Sequence, residues 1–389
     1  MFLIPYTASL YNGLSRLFAM AFDVPFEYCI LAMGIITAVF VVAGGYVASV
    51  VNNFIQGIIM LVGIVAVIAV ALNQKGGFLP AIDEMAAITG PGLRESVPGI
   101  FTSFFGPDPI GLLGVVILTS LGTWGLPQMV GRFYSIKNEK MITKGAVVST
   151  VFALFIAGGS YFLGSFGRLY ETDLIQIGAI SESGAVAFDA IIPTIISGMG
   201  DAMIGLVIVL VFAASISTLA SLVLASSSTL VLDFLKGNIV KKMTDKTQLF
   251  IIRLLIVVFI AISSYIAIIQ HSGSITFIAQ LMGISWGALA GSFLAPFLYG
   301  LYWKKVSKLS VWCCFIFSTS LMILNIFYRS SFPAILQSPI NAGAFTMLAG
   351  LVIVPLVSLI SKAPDKALLE NTFSCYEKKV SVKVTEDLG

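Results

Sequence analysis

The stretch Ala213–Asp233, AASISTLASLVLASSSTLVLD, sets a string of hydroxyls into an otherwise apolar run. Helical side chains lean toward the preceding turn, so the hydroxyls of Ser217 and Thr218 are expected to approach the carbonyl of Ala214. Three hard oxygens converging on one point suit a small alkali cation, provided a neighbouring helix supplies further carbonyls, as the broken helices of secondary transporters do. The same residues also read as hydroxyls bonded back to the previous turn, or as small residues that let two helices approach. Residue types alone leave both readings open.

Two further polar groupings interrupt apolar sequence. Asn52, Asn53 and Gln56 form an amide cluster in a spanning segment, which reads as a candidate cation pathway or as interhelical glue. GTWGLPQ, from Gly122 to Gln128, puts two glycines and a proline inside another span. Backbone groups freed there need partners, which a polar ligand or a packed neighbouring helix can supply. An enzyme would need His, Asp or Glu clusters, or a nucleophile beside a base. The spans offer almost no ionisable residue, so the chain does not read as an enzyme. His271, the single histidine, falls in a short turn and reads as solvated. Cys29, Cys313, Cys314 and Cys375 show no metal-type or disulfide-type spacing and read as free thiols.

The elements that must position these groups are membrane helices. The chain has 389 residues, 58% hydrophobic and 11% charged, with a mean hydropathy of +1.00. Soluble domains carry about a quarter charged residues, so no soluble surface can be made from this composition. Uncharged runs long enough to span a bilayer, roughly 20 residues each, recur near 1–19, 28–44, 48–72, 109–132, 144–168, 198–232, 249–270, 275–303, 311–328 and 342–361. Ten such runs predict an all-α polytopic membrane protein of about ten transmembrane helices. They are too long and too uniformly apolar for the strands of a membrane barrel.

Lys and Arg concentrate in the connections around 132–144, 236–246 and 304–308 and in the tail, whereas 73–108 and 169–197 are poor in bases and carry acids. An even number of spans separates each basic connection from the next, so one orientation satisfies the positive-inside rule and predicts a cytoplasmic C-terminus in the cell membrane. The net charge of +3 sits in these connections with no cluster of nucleic-acid type, and nucleic acid is not the expected partner. The 73–108 connection is long enough for an external gate and equally reads as a surface loop. Residues 1–362 read as one transmembrane domain and 363–389 as a short polar tail.

AAxxST followed by a serine-rich turn and Asp233 resembles the signature helix of the sodium:solute symporter family, which includes sodium-coupled sugar, proline and pantothenate carriers. Three other stretches match in order. FVVAGGYVASVVNNFIQGIIM (Phe40–Met60) is similar to the family's Gly-Gly turn and polar helix; LGTWGLPQMVGRFYSIK (Leu121–Lys137) looks like its unwound helix; and SWGALAGSFLAPFLYGLYWKKV (Ser285–Val306) resembles its gating helix. The resemblance implies a leucine-transporter-type inverted repeat, with Ala214, Ser217 and Thr218 as one helix's share of a sodium site. It places Gly122, Thr123, Trp124, Gly125, Ser285 and Trp286 near the substrate, and it puts an aspartate in several relatives where this chain has Asn53.

The implied function is sodium-coupled symport of a small organic solute, with sodium as coupling ion and no other cofactor. The Pro127–Gln128 pair leans toward proline or pantothenate carriers. By the same resemblance Met1 falls inside the third core helix, so the first core helices lie upstream. A truncated, transport-inactive remnant or a non-transporting subunit is the competing expectation.

Overall fold

The computed structural model describes residues 2–88, 98–130, 136, 139–177, 179, 187–240, 242–272, 278–362 and 364–376, with the backbone alone at 43–52, 139, 272 and 375. It is helical throughout the described residues: α1 (Leu3–Phe22), α2 (Phe26–Gln74), α3 (Phe78–Ala87), α4 (Pro109–Gly125), α5 (Pro127–Val130), α6 (Glu139–Ser165), α7 (Glu171–Gln176), α8 (Ile191–Ser197), α9 (Asp201–Ser228), α10 (Asp245–Ser272), α11 (Ile278–Tyr302), α12 (Lys308–Phe327), α13 (Ala334–Gln337), α14 (Pro339–Ile360) and α15 (Lys366–Phe373). Among the described residues, seven stretches are long and apolar enough to cross a membrane. Leu3–Phe22 and Phe26–Val42, bent by 120° at their junction, and the shorter Pro109–Gly125 supply helices for the other expected runs.

One boundary differs from the sequence reading. The runs at 28–44 and 48–72 belong to a single 49-residue helix, α2, whose backbone passes through Gly44 and Gly45 without a turn. A glycine costs a helix only about 1 kcal/mol relative to alanine. An unpaired backbone group in lipid costs several times that, and no proline in the segment enforces a break.

The tightest packing joins α4, α11, α12 and α14. Gly283, Gly287 and Gly291 recur every four residues on α11 and meet Gly343, Thr346 and Gly350 on α14. A Cβ at Gly287 would lie 2.6 Å from Gly343 Cα, and one at Gly350 would lie 3.1 Å from the Gly291 carbonyl oxygen. Small residues at this spacing let two backbones touch, the main way membrane helices gain packing where lipid tails are as apolar as leucine. Thr346 donates to the Gly287 carbonyl at 2.9 Å. Pro355 has no N–H and so leaves the Leu351 carbonyl free; the Tyr299 hydroxyl donates to that oxygen at 2.9 Å.

The second body of helices, α1, α2, α9 and α10, packs around Tyr11, Leu14, Ile30, Leu219, Val223 and Ile256 and leans on α11 through Ile284 and Ala288. α6 lies against α2 with its other faces open; Val148 and Leu154 are 68% and 70% exposed, as a helix with lipid for solvent should be. At one end of the bundle the short helices α3 and α8 and the 166–170 turn close over α1, α2 and α9 through Leu17, Val67, Met85, Phe166, Ile195 and Val207. The 73–88 and 187–198 connections are thus packed caps. Of the 73–108 connection, expected as an external gate or a surface loop, residues 89–97 lie outside the described residues.

Candidate functional site

Gly63 of α2 lies directly against Leu210 of α9, and Val67 shares an apolar cluster with Val207, so residue numbers rise along one helix as they fall along the other. The two helices are antiparallel, and each climbs equally per residue. Moving seven residues from Gly63 to Gln56, and seven from Leu210 to Ser217, therefore brings the amide of Gln56 level with the hydroxyl of Ser217. Asn53 falls one turn away, level with Ala220. The polar cluster of one helix and the hydroxyl notch of the other sit at one depth.

Ala214, Ser217 and Thr218 are half-buried, flanked by the buried Ala213, Ser215, Ile216 and Leu219. The Thr218 hydroxyl donates to the Ala214 carbonyl at 3.1 Å, the approach that the lean of helical side chains predicts. That carbonyl also takes the helical N–H of Thr218, so both its lone pairs are engaged in this arrangement. The Thr218 oxygen, having given its proton away, keeps lone pairs for a cation. Ser217, by contrast, makes no hydrogen bond among the described residues. Ser221 donates to the Thr218 carbonyl at 2.8 Å, holding the next turn. Past Ser228 the helix widens into π-type winding over Thr229–Ile239, and the Ser227 hydroxyl at that junction is buried without a partner.

On α2, Asn53 Oδ1 and Gln56 Oε1 are buried acceptors without a donor. Buried oxygens are nearly always satisfied, and an amide whose only need were to join two helices would have found a donor. Two bare carbonyl-type oxygens at the depth of a free serine hydroxyl match the oxygen chemistry of an alkali cation. The Asn52 side chain lies outside the described residues.

The substrate-proximal set divides between two faces of α4. That helix ends at Gly125, Leu126 adopts an extended conformation, and α5 restarts at Pro127; this is the expected broken helix. Gly122 and Gly125 form its packed face. A Cβ at Gly122 would lie 2.7 Å from the Trp286 ring, and one at Gly125 would lie 2.7 Å from Ala290 Cα. Thr123 and Trp124 look the other way, with Trp124 63% exposed and Thr123 bonded back to the Ser120 carbonyl at 3.1 Å.

On α11 the Ser285 hydroxyl donates to the Phe2 carbonyl. Trp286 packs edge-on to Tyr6, with ring centroids 5.6 Å apart. Its indole N–H is buried without an acceptor, as is Gln128 Nε2 beside the break. Trp286 is therefore a core aromatic that retains one unsatisfied donor.

A third group escaped the sequence reading. Arg16 stands inside the first apolar run, where an ionisable residue is a functional signal in its own right. Its Nε donates to Asn12 Oδ1 at 2.7 Å, and Asn12 Nδ2 donates to Gln270 Oε1 of α10 at 2.9 Å. Its guanidinium lies 3.9 Å from Asp189. Both Asp189 oxygens accept the Ile278 N–H at 3.2 Å, capping the first turn of α11. Burial pushes the Asp189 carboxyl above the usual aspartate range, and the Ile278 N–H and Arg16 pull it partly back. Arg16 and Asp189, with Phe26, Tyr170 and His271, line a cavity of about 670 Å³. His271 is exposed, as expected, and stacks on Phe26 with centroids 3.8 Å apart.

Over 362 residues, 93% of this chain and 69% of the relative, the chain is 24% identical to the osmoregulated proline transporter OpuE of Bacillus subtilis. Over 301 residues, 76% of this chain and 57% of the relative, it is 26% identical to the sodium/pantothenate symporter of Escherichia coli. A solved sodium-coupled sialic acid symporter, substrate-bound and outward-open, superposes with a TM-score of 0.56 at 16% identity, covering 94% of this chain and 75% of that one. The last likeness shows a shared fold and bears out the expected all-α, leucine-transporter-type architecture. Residues 1–316 match the sodium:solute symporter family, and the chain belongs to that family.

Proposed function

We propose that this chain carries out sodium-coupled symport of a small organic solute across the cell membrane, with Ala214, Ser217 and Thr218 as the α9 contribution to a sodium site. The observation that carries the reading is the free Ser217 hydroxyl beside the back-bonded Thr218, level with the bare oxygen of Gln56 and one turn from that of Asn53. A sodium ion held there draws on hard, uncharged oxygens, which release it as readily as they take it. Ala214 joins as a ligand when the Thr218 hydroxyl rotates off its carbonyl. Asn53 and Gln56, with Asn52, line the route of the ion along α2.

The solute is an amino acid such as proline or a carboxylate such as pantothenate, as the names of the relatives suggest. It sits near the broken helix, with Thr123 and Trp124 on the open face of α4 and Gly122, Gly125, Ser285 and Trp286 shaping the wall behind. Residues 1–362 form the transport domain and 363–389 a cytoplasmic tail. The positive-inside rule then sets the end bearing Arg16 and Asp189 outside, where the cavity serves as the entrance.

The test is uptake of radiolabelled proline and pantothenate by proteoliposomes holding the chain, in sodium against potassium buffer. Sodium-stimulated uptake of either solute, weakened by Ser217→Ala with Thr218→Ala, is the expected result. Sodium-stimulated uptake that the double variant leaves undiminished rejects the site; equal uptake in the two buffers rejects the coupling.

A further inference from the structure

Where α12 begins and α14 ends, four serines tie the two spans together. Ser307 caps α12 by accepting the Ser310 N–H at 3.1 Å, and its own N–H donates to the Ser358 hydroxyl at 3.2 Å. Ser358 donates to the Ser310 hydroxyl at 2.8 Å, and Ser361 donates to the Ser307 hydroxyl at 2.5 Å. The residue after Ser307 is Lys308 and the residue after Ser361 is Lys362. One hydrogen bond therefore sets two lysine backbones side by side, at the depth where two spans leave the hydrocarbon.

These lysines line a groove of about 550 Å³ with Leu309, Trp312, Asp365 and Leu368. Neither has an ion-pair partner among the described residues. The one acid of the groove, Asp365, is spent capping α15, where it accepts the Ala367 N–H at 3.3 Å. Below the lysines, Leu309, Trp312 and Ile316 recur at helical spacing down α12, exposed by 57%, 53% and 57%. Tryptophan favours the headgroup level of a bilayer. The groove thus offers two positive charges at the headgroup plane and an apolar track running from them into the hydrocarbon.

We propose that this groove holds one anionic phospholipid, its phosphate bridging Lys308 and Lys362 and an acyl chain lying along Leu309, Trp312 and Ile316. A zwitterionic lipid matches the apolar track equally well, but its own cation faces the lysine pair. Basic pockets between spans recognise headgroups in this way. Each lysine close to an anionic headgroup favours binding by about fivefold, so the pair should prefer an anionic over a zwitterionic lipid by roughly tenfold or more.

Native mass spectrometry of the purified full chain, titrated with phosphatidylglycerol and with phosphatidylcholine of matched acyl chains, tests the assignment without reference to any transported solute. The expected result is a phosphatidylglycerol adduct at least about tenfold tighter than the phosphatidylcholine one. That preference should collapse toward parity in Lys308→Gln with Lys362→Gln and persist in Lys242→Gln with Lys246→Gln. Trp312→Ala should weaken both lipids together. A preference that survives in the first double variant, or falls equally in the second, overturns the site. Complete displacement by inorganic phosphate at equal concentration would mark a soluble-anion site, and a dimer lost with the two lysines would mark a contact between copies; either overturns the lipid.

Discussion

The α11–α14 seam and the α2–α9 seam are both helix pairs in lipid, yet they are built from opposite materials. In the first, glycines every four residues bring backbones into contact, and side chains answer carbonyls along it, Thr346 on that of Gly287, Cys314 on that of Gly291 and Tyr299 on the one that Pro355 leaves free, while Trp286 Nε1, Ser318 Oγ and Asn341 Oδ1 stay buried without partners. In the second, Gly63 packs against Leu210, and Asn53 and Gln56 bury oxygens that lack donors. A seam in which backbones touch has one good arrangement, because close-packed interiors do not deform continuously. A seam with bare oxygens has a use for a ligand. The contrast supports the proposal that α4, α11, α12 and α14 form the frame and that α2 and α9 hold the ion.

The largest effect expected is on the frame. Gly287→Leu drives a side chain into Gly343 Cα and Met322 Sδ, at 2.6 and 2.9 Å from the new Cβ, and backbone cannot step aside as a side-chain tip can. Overpacking of this kind costs about 3 kcal/mol or more, and the variant should lose its cooperative thermal transition in detergent. Gly158→Leu on α6, with open space around the glycine, should leave that transition nearly unmoved. Equal losses in the two variants would dissolve the distinction between frame and periphery.

Next comes the notch. Hydrogen-bond-like contacts to a charge are worth about 1.5–3 kcal/mol each, so Ser217→Ala with Thr218→Ala should raise the sodium concentration for half-maximal uptake roughly tenfold or more. Thermal stability should hardly change, since neither hydroxyl answers a buried group of another helix. A fall in stability matching the loss of uptake would make this seam structural like the other.

A smaller effect is expected at the end of the bundle. The Arg16–Asp189 pair is 3.9 Å apart, with side chains 23% and 10% exposed, which discounts it toward the weak range for partly solvated pairs, about 1 kcal/mol. Arg16→Gln should speed hydrogen exchange of the 187–198 backbone several-fold, and Asp189→Asn added to it should slow the exchange again by discharging the orphaned carboxylate. Unchanged exchange in Arg16→Gln would mean that the apolar contacts of Ile195 and Ile196 hold this cap alone.

Much of this was legible in residue order, and the misses have physical causes. The apolar runs and the broken helix at Gly125–Pro127 follow from local rules, because a bilayer forces each backbone polar group to find a partner nearby. The approach of Thr218 to the Ala214 carbonyl also follows from one helix alone. The continuity of α2 through Gly44–Gly45 does not, since a pair of glycines permits a turn without requiring one. The splitting of Thr123 and Trp124 from Gly122 and Gly125 depends on which face α11 covers, which is tertiary information. Arg16 was visible as an ionisable residue in an apolar run; its partner Asp189 lies far along the chain in a connection, where an acid carries no signal until the fold brings it to the end of α11.

The finest probe of the comparison is Asn53→Asp. If the α2–α9 seam is a cation site, a carboxylate one turn from the level of Ser217 supplies attraction that an amide oxygen lacks. At an effective dielectric near 20, a unit charge about 6 Å from the ion contributes almost 3 kcal/mol of attraction. Desolvating the new carboxylate removes most of it, leaving a net gain near 0.5–1 kcal/mol and a half-saturating sodium concentration lower by roughly threefold. If the seam is instead held by amide glue, the carboxylate finds no cation and no donor: Asn53 Oδ1 has none now. The substitution then costs stability in sodium and potassium alike. Thermal unfolding in the two salts separates the cases, because only a bound ion makes the melting temperature of the variant rise with sodium and not with potassium.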